Sequence, residues 1–271
     1  MARVFCYIVA ASGNPDNIGC AVPYKVDDGE IFYGPCKKLL REWLRHRYLG
    51  EATESADPAD DVYVVGFNGY NPSKTRKIVW IGKLIRVMTF RSAHHALDGS
   101  RYERMRKARH SPLHVEPIVR DGRFRGYSHR SQMHSKNNNW VTDLVKSRQS
   151  PDVTLSGRRL VLRPGVSAWR GFPRDVCALF ENIFFAAGRG RDIDDDLLAI
   201  LQAAQLGRNV DRYAVFGYRR DGTADGRTGN HLELTGGHAR ACVDWIQGTP
   251  SAPPPGSGKA RPTVTTASGK C

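Results

Sequence analysis

No two cysteines of this chain stand in a C-x-x-C pair, and no apolar run approaches the length that spans a bilayer. The first absence excludes a zinc ribbon and a thioredoxin-like redox motif. The second excludes a transmembrane helix. The start of the chain has no cationic stretch followed by an apolar segment and a small-residue cleavage site, so a cytoplasmic protein is expected. A P-loop ending in Gly-Lys-Ser/Thr is missing, as is a G-x-G-x-x-G fingerprint. Acidic residues are scarce in the middle of the chain. Between Lys74 and Lys136 sixteen Lys or Arg face four acids, Asp98, Glu103, Glu116 and Asp121.

That excess of +12 is most of the formal net charge of +14. A localised cationic field draws polyanions and speeds their encounter. No amphipathic helix with inserting aromatics accompanies it, so nucleic acid or a nucleotide is the expected partner rather than a membrane. The six cysteines are Cys6, Cys20, Cys36, Cys177, Cys242 and Cys271. Those in apolar runs read as small buried hydrophobes of a reduced compartment.

The organising stretch is Val62 to Phe90. Val62–Phe67 is β-branched and aromatic, as a buried strand requires. Asn68, Gly69, Asn71, Pro72 and Ser73 reverse the chain. The return run to Met88 is long for a strand, and Gly82 in its middle marks a bulge or a close backbone approach.

Arg3–Ala10 predicts a buried first strand, followed by the polar loop Ser12–Gly19. Pro35 opens a helix through Tyr48, with Leu39, Leu40, Trp43 and Leu44 as its inward stripe. Gly50–Asp61 reads as an acidic, exposed connector. Phe90–Lys107 predicts helical turns broken at Gly99. Leu113–Val119 and Arg123–Ser128 form a hairpin around Asp121-Gly122. Val153–Leu155 and Arg159–Leu162 are paired strands around Ser156-Gly157-Arg158. Val141–Lys146 is a helical turn and Trp169–Pro173 a loop. Arg174–Ala187 has Val176, Leu179, Phe180, Ile183 and Phe184 at helical spacing and predicts a helix capped by Gly188. Leu197–Leu206 and Gly237–Gln247 are further helices, and Tyr213–Tyr218 a strand. Residues 1–247 are expected as one α+β domain with a possible internal boundary near 150. The Pro-, Gly- and Ser-rich segment 248–271 is expected to be a disordered tail.

Six of the nine histidines fall between His94 and His134, at spacings that make no metal site. Tyr127–Trp140 (YSHRSQMHSKNNNW) is dense in donors and acceptors. Such a loop can read base edges and stack a base. Arg101, Arg104, Arg130 and Lys136 are the expected phosphate contacts. Asn14, Asn17, His129, Gln132 and Asn138 are the expected base-edge readers, with Tyr127 and Trp140 as stackers. If the protein is instead an enzyme acting on a nucleotide or base, His129 or His134 is the general base and Asp143 its orienter. A third reading is an interaction subunit of a modification or defence complex. No cofactor and no metal are expected.

Several stretches together resemble a known family, the nucleotide modification associated domain, type 2. They are RVFCYIVAASGNPDNIGCAV at the start, DDVYVVGFNG, IVWIGKLIRVMTF with the following Arg101–Met105, DVTLSGRRLVL, and Phe184–Arg191. The resemblance covers residues 3–206. It departs from the family where Asp16 and Asn17 follow Pro15 in place of an aromatic, and where Arg191 ends the Gly-Arg-Gly turn. It implies an α+β domain, a twisted mixed or antiparallel sheet with peripheral helices, tied to modified nucleotides in the DNA of phages and bacteria. By fold-level analogy it also implies a PUA-like, partly closed barrel, the group of the EVE and ASCH modules, which bind modified bases.

Overall fold

The fold is α+β, two sheets with helices around them, in a computed structural model that describes residues 2–8, 23–35, 38–67, 77–108, 111–130, 136–186, 190–204 and 232–248. In chain order the elements are β1 (Arg3–Ile8), β2 (Tyr24–Lys25), β3 (Glu30–Tyr33), α1 (Lys38–Tyr48), β4 (Ser55–Ala56), β5 (Val62–Phe67), β6 (Lys77–Met88), α2 (Phe90–Ala96) and α3 (Glu103–Lys107). There follow β7 (Val115–Arg120), β8 (Arg123–His129), a 3₁₀ segment (Lys136–Asp143), β9 (Val153–Ser156), β10 (Arg159–Leu162) and α4 (Ala168–Gly171). The last are β11 (Cys177–Phe185), β12 (Arg191–Asp192), α5 (Asp195–Ala204), β13 (Leu232–Leu234) and α6 (Gly236–Gly248).

The large sheet runs β13-β1-β5-β6-β11-β3-β2, with β4 and β12 also on β6. Among the described strands only β1 and β5 pair in parallel, so the sheet is mixed. The small sheet, β7-β8-β10-β9, is antiparallel throughout. Among the described residues neither sheet closes on itself, and no helix is long and apolar enough to cross a membrane.

Strand β5 is buried at every position because both faces of the large sheet are covered. Side chains alternate along a strand. Tyr63, Val65 and Phe67 therefore join Val4 and Cys6 of β1 against Leu197 and Leu201 of α5 and Cys242 and Ile246 of α6. Val62 and Val64 join Phe5 and Tyr7 on the other face, against Leu40 and Leu44 of α1. A third cluster bridges the sheets: Phe32, Met88 and Leu179 of the large one meet Val115, Tyr127, Val153 and Leu160 of the small one. Chain from both sides of residue 150 contributes to it.

The hairpin of β5 and β6 forms as the sequence predicts, and Gly82 is a close approach. A Cβ there would lie 2.8 Å from a Trp80 ring carbon, 2.9 Å from the Phe180 Cβ and 3.1 Å from the Glu181 carbonyl oxygen. Gly82→Ala therefore overpacks the junction of β6 and β11. The expected cost is about 2 kcal/mol of unfolding free energy, read from urea denaturation.

One expected helix is a strand. Arg174–Ala187 contains β11, which lies between β6 and β3 at the centre of the large sheet. Its register on β6 shifts between Leu179 and Phe180 and again between Asn182 and Phe184. The extra residue of the first bulge, Ile85, is on β6; that of the second, Ile183, is on β11 and moves its side-chain phase by one. With both faces buried up to Phe180 and one inserted residue after Asn182, the apolar positions Val176, Leu179, Phe180, Ile183 and Phe184 fall at the three-and-four spacing of a helix. The expected loop Trp169–Pro173 also differs. Its first residues belong to α4, whose Ser167 side chain accepts the Arg170 N–H at 3.4 Å.

The acidic stretch Gly50–Asp61 is more than a connector. Its β4 pairs with β6, and its carboxylates meet cations of the basic segment: Glu54 pairs Arg91, Asp57 pairs Arg86 at 2.7 Å, and Asp61 pairs Lys83 at 2.8 Å. Cys6, Cys177 and Cys242 are buried thiols, their pKa values pushed up by desolvation. The reversal after Phe67, the strand expected at Tyr213–Tyr218, the tail beyond 248 and the other three cysteines lie outside the described residues.

Candidate nucleic-acid interface

The small sheet carries the site that stands out. Its first hairpin turns at Asp121 and Gly122, whose φ values of 52° and 70° fit a two-residue turn of the primed type. The register then shifts: Ile118 faces Gly126 and Val119 faces Phe124, so Arg125 is the inserted residue of a bulge. Gly126 has φ +150°, and a Cβ there would stand 2.0 Å from the Leu160 carbonyl oxygen. Only glycine lets β10 approach this closely. Across the sheet Gly126 pairs with Val161, so Ile118, Gly126 and Val161 form one row without a protruding centre.

Beside that row is a cleft of about 420 Å³. Ile118, Phe124, Val161 and Leu162 line it, and so do Arg120, Arg125, Arg159 and Arg163. Asp121 is its one acid. All four arginines are exposed, and none forms an ion pair with an acid of the described residues. Elsewhere many of the described cations are neutralised. Of the sixteen cations between Lys74 and Lys136, Lys77, Lys83, Arg86, Arg91, Arg101, Arg106, Lys107 and Arg130 each meet a carboxylate. Among the described residues of that block, Arg120, Arg123 and Arg125 of the small sheet and Arg104 of α3 pair with no acid. A guanidinium is planar, permanently charged and matched to bidentate contact with phosphate.

The residues singled out from sequence are placed differently. Arg101 is held by Asp27, with Nη2 donating to Oδ1 at 2.9 Å, and by Glu30 at 3.0 Å. That guanidinium, with the N–H groups of Gly29 and Glu30, holds the Asp27 carboxyl down at about 2. The pair adds stability above the ordinary carboxyl range and loses it as the pH falls through about 2. Arg104 is exposed with no ion pair among the described residues, and it is not part of the cleft. Arg130 pairs with Glu116 at 3.1 Å. Asn14, Asn17, Gln132 and His134 lie outside the described residues, as do the side chains of Lys136 and Asn138.

Tyr127, Trp140, His129 and Asp143 are buried. His129 stacks on Trp140 with centroids 5.2 Å apart and meets the His114 ring at 4.9 Å. His114 Nε2 lies 3.6 Å from Asp143 Oδ2. These groups form an interior polar node, with neither aromatic at the surface. Among the described residues no group of three or more His, Cys, Asp or Glu is arranged to hold a metal ion.

Tyr127 has a further tie. Its hydroxyl donates to Asp175 Oδ2 at 2.5 Å and accepts the Arg91 N–H at 3.1 Å, while Asp175 Oδ1 accepts the Phe90 N–H at 2.8 Å. Burial pushes the Asp175 carboxyl up and the Tyr127 phenol well up. Tyr127→Phe removes a donor from a buried carboxylate, at an expected cost of about 2 kcal/mol. The folded pKa of Asp175 lies above its unfolded one, so its contribution to stability falls as the pH rises between them. Urea denaturation of the variant at two pH values checks both statements.

Sequence reasoning missed Arg159 and Arg163, which lie outside the basic block, and did not single out Arg120 or Arg125. The available signal was arginine at outward positions of both hairpins. The chain matches no family model, no curated protein and no solved structure.

Proposed function

We propose that the protein binds nucleic acid or a nucleotide through the outer face of its small sheet. The observation that carries this reading is the cleft with four exposed arginines that no described acid neutralises. An anion entering it displaces water and counterions instead of an internal partner, so its binding costs no salt bridge. The apolar floor gives a ring something to lie on, and guanidinium planes stack on bases. The link to modified nucleotides rests on the resemblance in the short motifs of residues 3–206. A role inside a DNA-modification system, as reader or as enzyme, is the finer form of the same proposal.

Salt dependence tests it. If about three phosphates of a single-stranded oligonucleotide are neutralised, the plot of log affinity against log salt has a slope of about −2, at roughly −0.7 per phosphate. Fluorescence anisotropy with a labelled oligonucleotide from 25 to 200 mM salt, on the order of one decade, reads it. A flat plot, or no binding at the lowest salt, sinks the proposal.

A further inference from the structure

Resting on that reading of the cleft, we infer that its ligand is a nucleotide end bearing a terminal phosphate, not the interior of a chain. The shared chemistry is a base attached through its sugar to a phosphomonoester or phosphoanhydride. Its source is either a free nucleoside polyphosphate or the phosphorylated end of a strand.

Size, charge and floor point the same way. At about 420 Å³ the cleft is within the range of small-ligand sites, roughly 300–1,000 Å³, and holds a single nucleotide unit. A duplex presents its phosphates on a convex cylinder and keeps its bases stacked inside. Four guanidinium groups against the one carboxylate of Asp121 leave an excess of three positive charges in the lining. In a cleft that holds a single nucleotide unit, an interior phosphodiester brings one negative charge and leaves most of that excess to phosphates outside the cleft. A terminal phosphomonoester carries about −1.5 to −2, and a di- or triphosphate carries more. The row Ile118, Gly126 and Val161 lacks a central side chain. A flat ring can lie against it with the phosphates among the arginines. Asp121 accepts hydrogen bonds and donates none, which suits a sugar hydroxyl.

The test uses the full chain and a 3′-labelled single-stranded 12-mer in two forms, 5′-phosphorylated and 5′-hydroxyl. Adenosine 5′-triphosphate and adenosine serve as competitors. The phosphorylated strand is expected to bind about tenfold tighter than its twin, with triphosphate displacing it and adenosine not. Arg125→Gln with Arg159→Gln is expected to remove the difference, and Arg163→Gln alone is expected to reduce it. Thermal melting shows that each variant is folded. Displacement by the triphosphate at lower concentration than the phosphorylated strand itself requires assigns a free nucleotide. A phosphorylated strand that is preferred but not displaced assigns a strand end. Equal, salt-sensitive affinity for both strands without displacement overturns the inference and leaves the polyanion reading standing. No binding of either strand or of the triphosphate removes both.

Discussion

Arg41→Met is expected to lower the free energy of unfolding by about 4 kcal/mol. Arg41 lies on α1 yet is wholly buried. Its Nη1 donates to the Arg174 carbonyl at 2.9 Å and the Val176 carbonyl at 2.7 Å, and its Nη2 donates to the Asp143 carbonyl at 2.8 Å. Those carbonyls belong to the run leading into β11 and to the end of the 3₁₀ segment. The guanidinium also sits 5.7 Å from the Phe90 ring centroid. One side chain therefore fastens α1, the central strand and the segment that carries Trp140. Methionine keeps the apolar stem and removes the donors. The Val176 and Asp143 carbonyls then lose this donor, each at about 1–3 kcal/mol, while the Arg174 carbonyl keeps the Val176 N–H; the loss is offset in part because no charge has to be desolvated. The urea midpoint should fall by more than about 1 M. Arg41→Lys should recover less than half of the loss, since an ammonium cannot span the same fork. A midpoint that does not move would mean that the carbonyls find donors elsewhere and that the fork is dispensable.

Arg41 also shows what could be read from the sequence. It stands outside the apolar stripe of Leu39, Leu40, Trp43 and Leu44, so its burial has no local sign, and its three acceptors come from residues 143 to 176. Local pattern carries local structure. β5 was legible because both its faces are buried, and the primed turn at Asp121-Gly122 because few other residues take positive φ twice running. β11 was not legible, because its bulges answer to β6, about a hundred residues earlier.

The site failed for a related reason. A segment's net charge is not the charge of a surface. β6 and its neighbours carry many of the counted cations, but β4 and the stretch after it bring Glu54, Asp57 and Asp61 across to them. What remains unpaired is decided by tertiary contacts. Tyr127 was read as a stacker from the polar loop beside it. Strand phase turns it inward, and its partner Asp175 is 48 residues away. The α+β class was available from composition and pattern, whereas the grouping of Arg120, Arg125, Arg159 and Arg163 needed the pairing of β8 with β10.

That grouping makes the strongest functional prediction. Arg125→Glu with Arg159→Glu is expected to weaken binding of a single-stranded oligonucleotide about 100-fold at low salt. The two changes alter the charge around the cleft by four units. A unit charge about 7 Å from a phosphate in water contributes about 0.6 kcal/mol, so four units amount to about 2.4 kcal/mol, near two decades of affinity. The salt plot should also flatten, because fewer counterions leave on binding. Both residues are exposed and make no ion pair among the described residues, so the fold loses no salt bridge in the exchange. Stability by urea should change by less than about 0.5 kcal/mol. A matched control is Lys83→Glu with Arg86→Glu, the same change of charge on cations already paired with Asp61 and Asp57. If the cleft is the docking site, the control should lose far less affinity than the cleft variant. Equal losses in the two variants would mean that the chain attracts polyanions through its overall charge, and the cleft would then have no special claim.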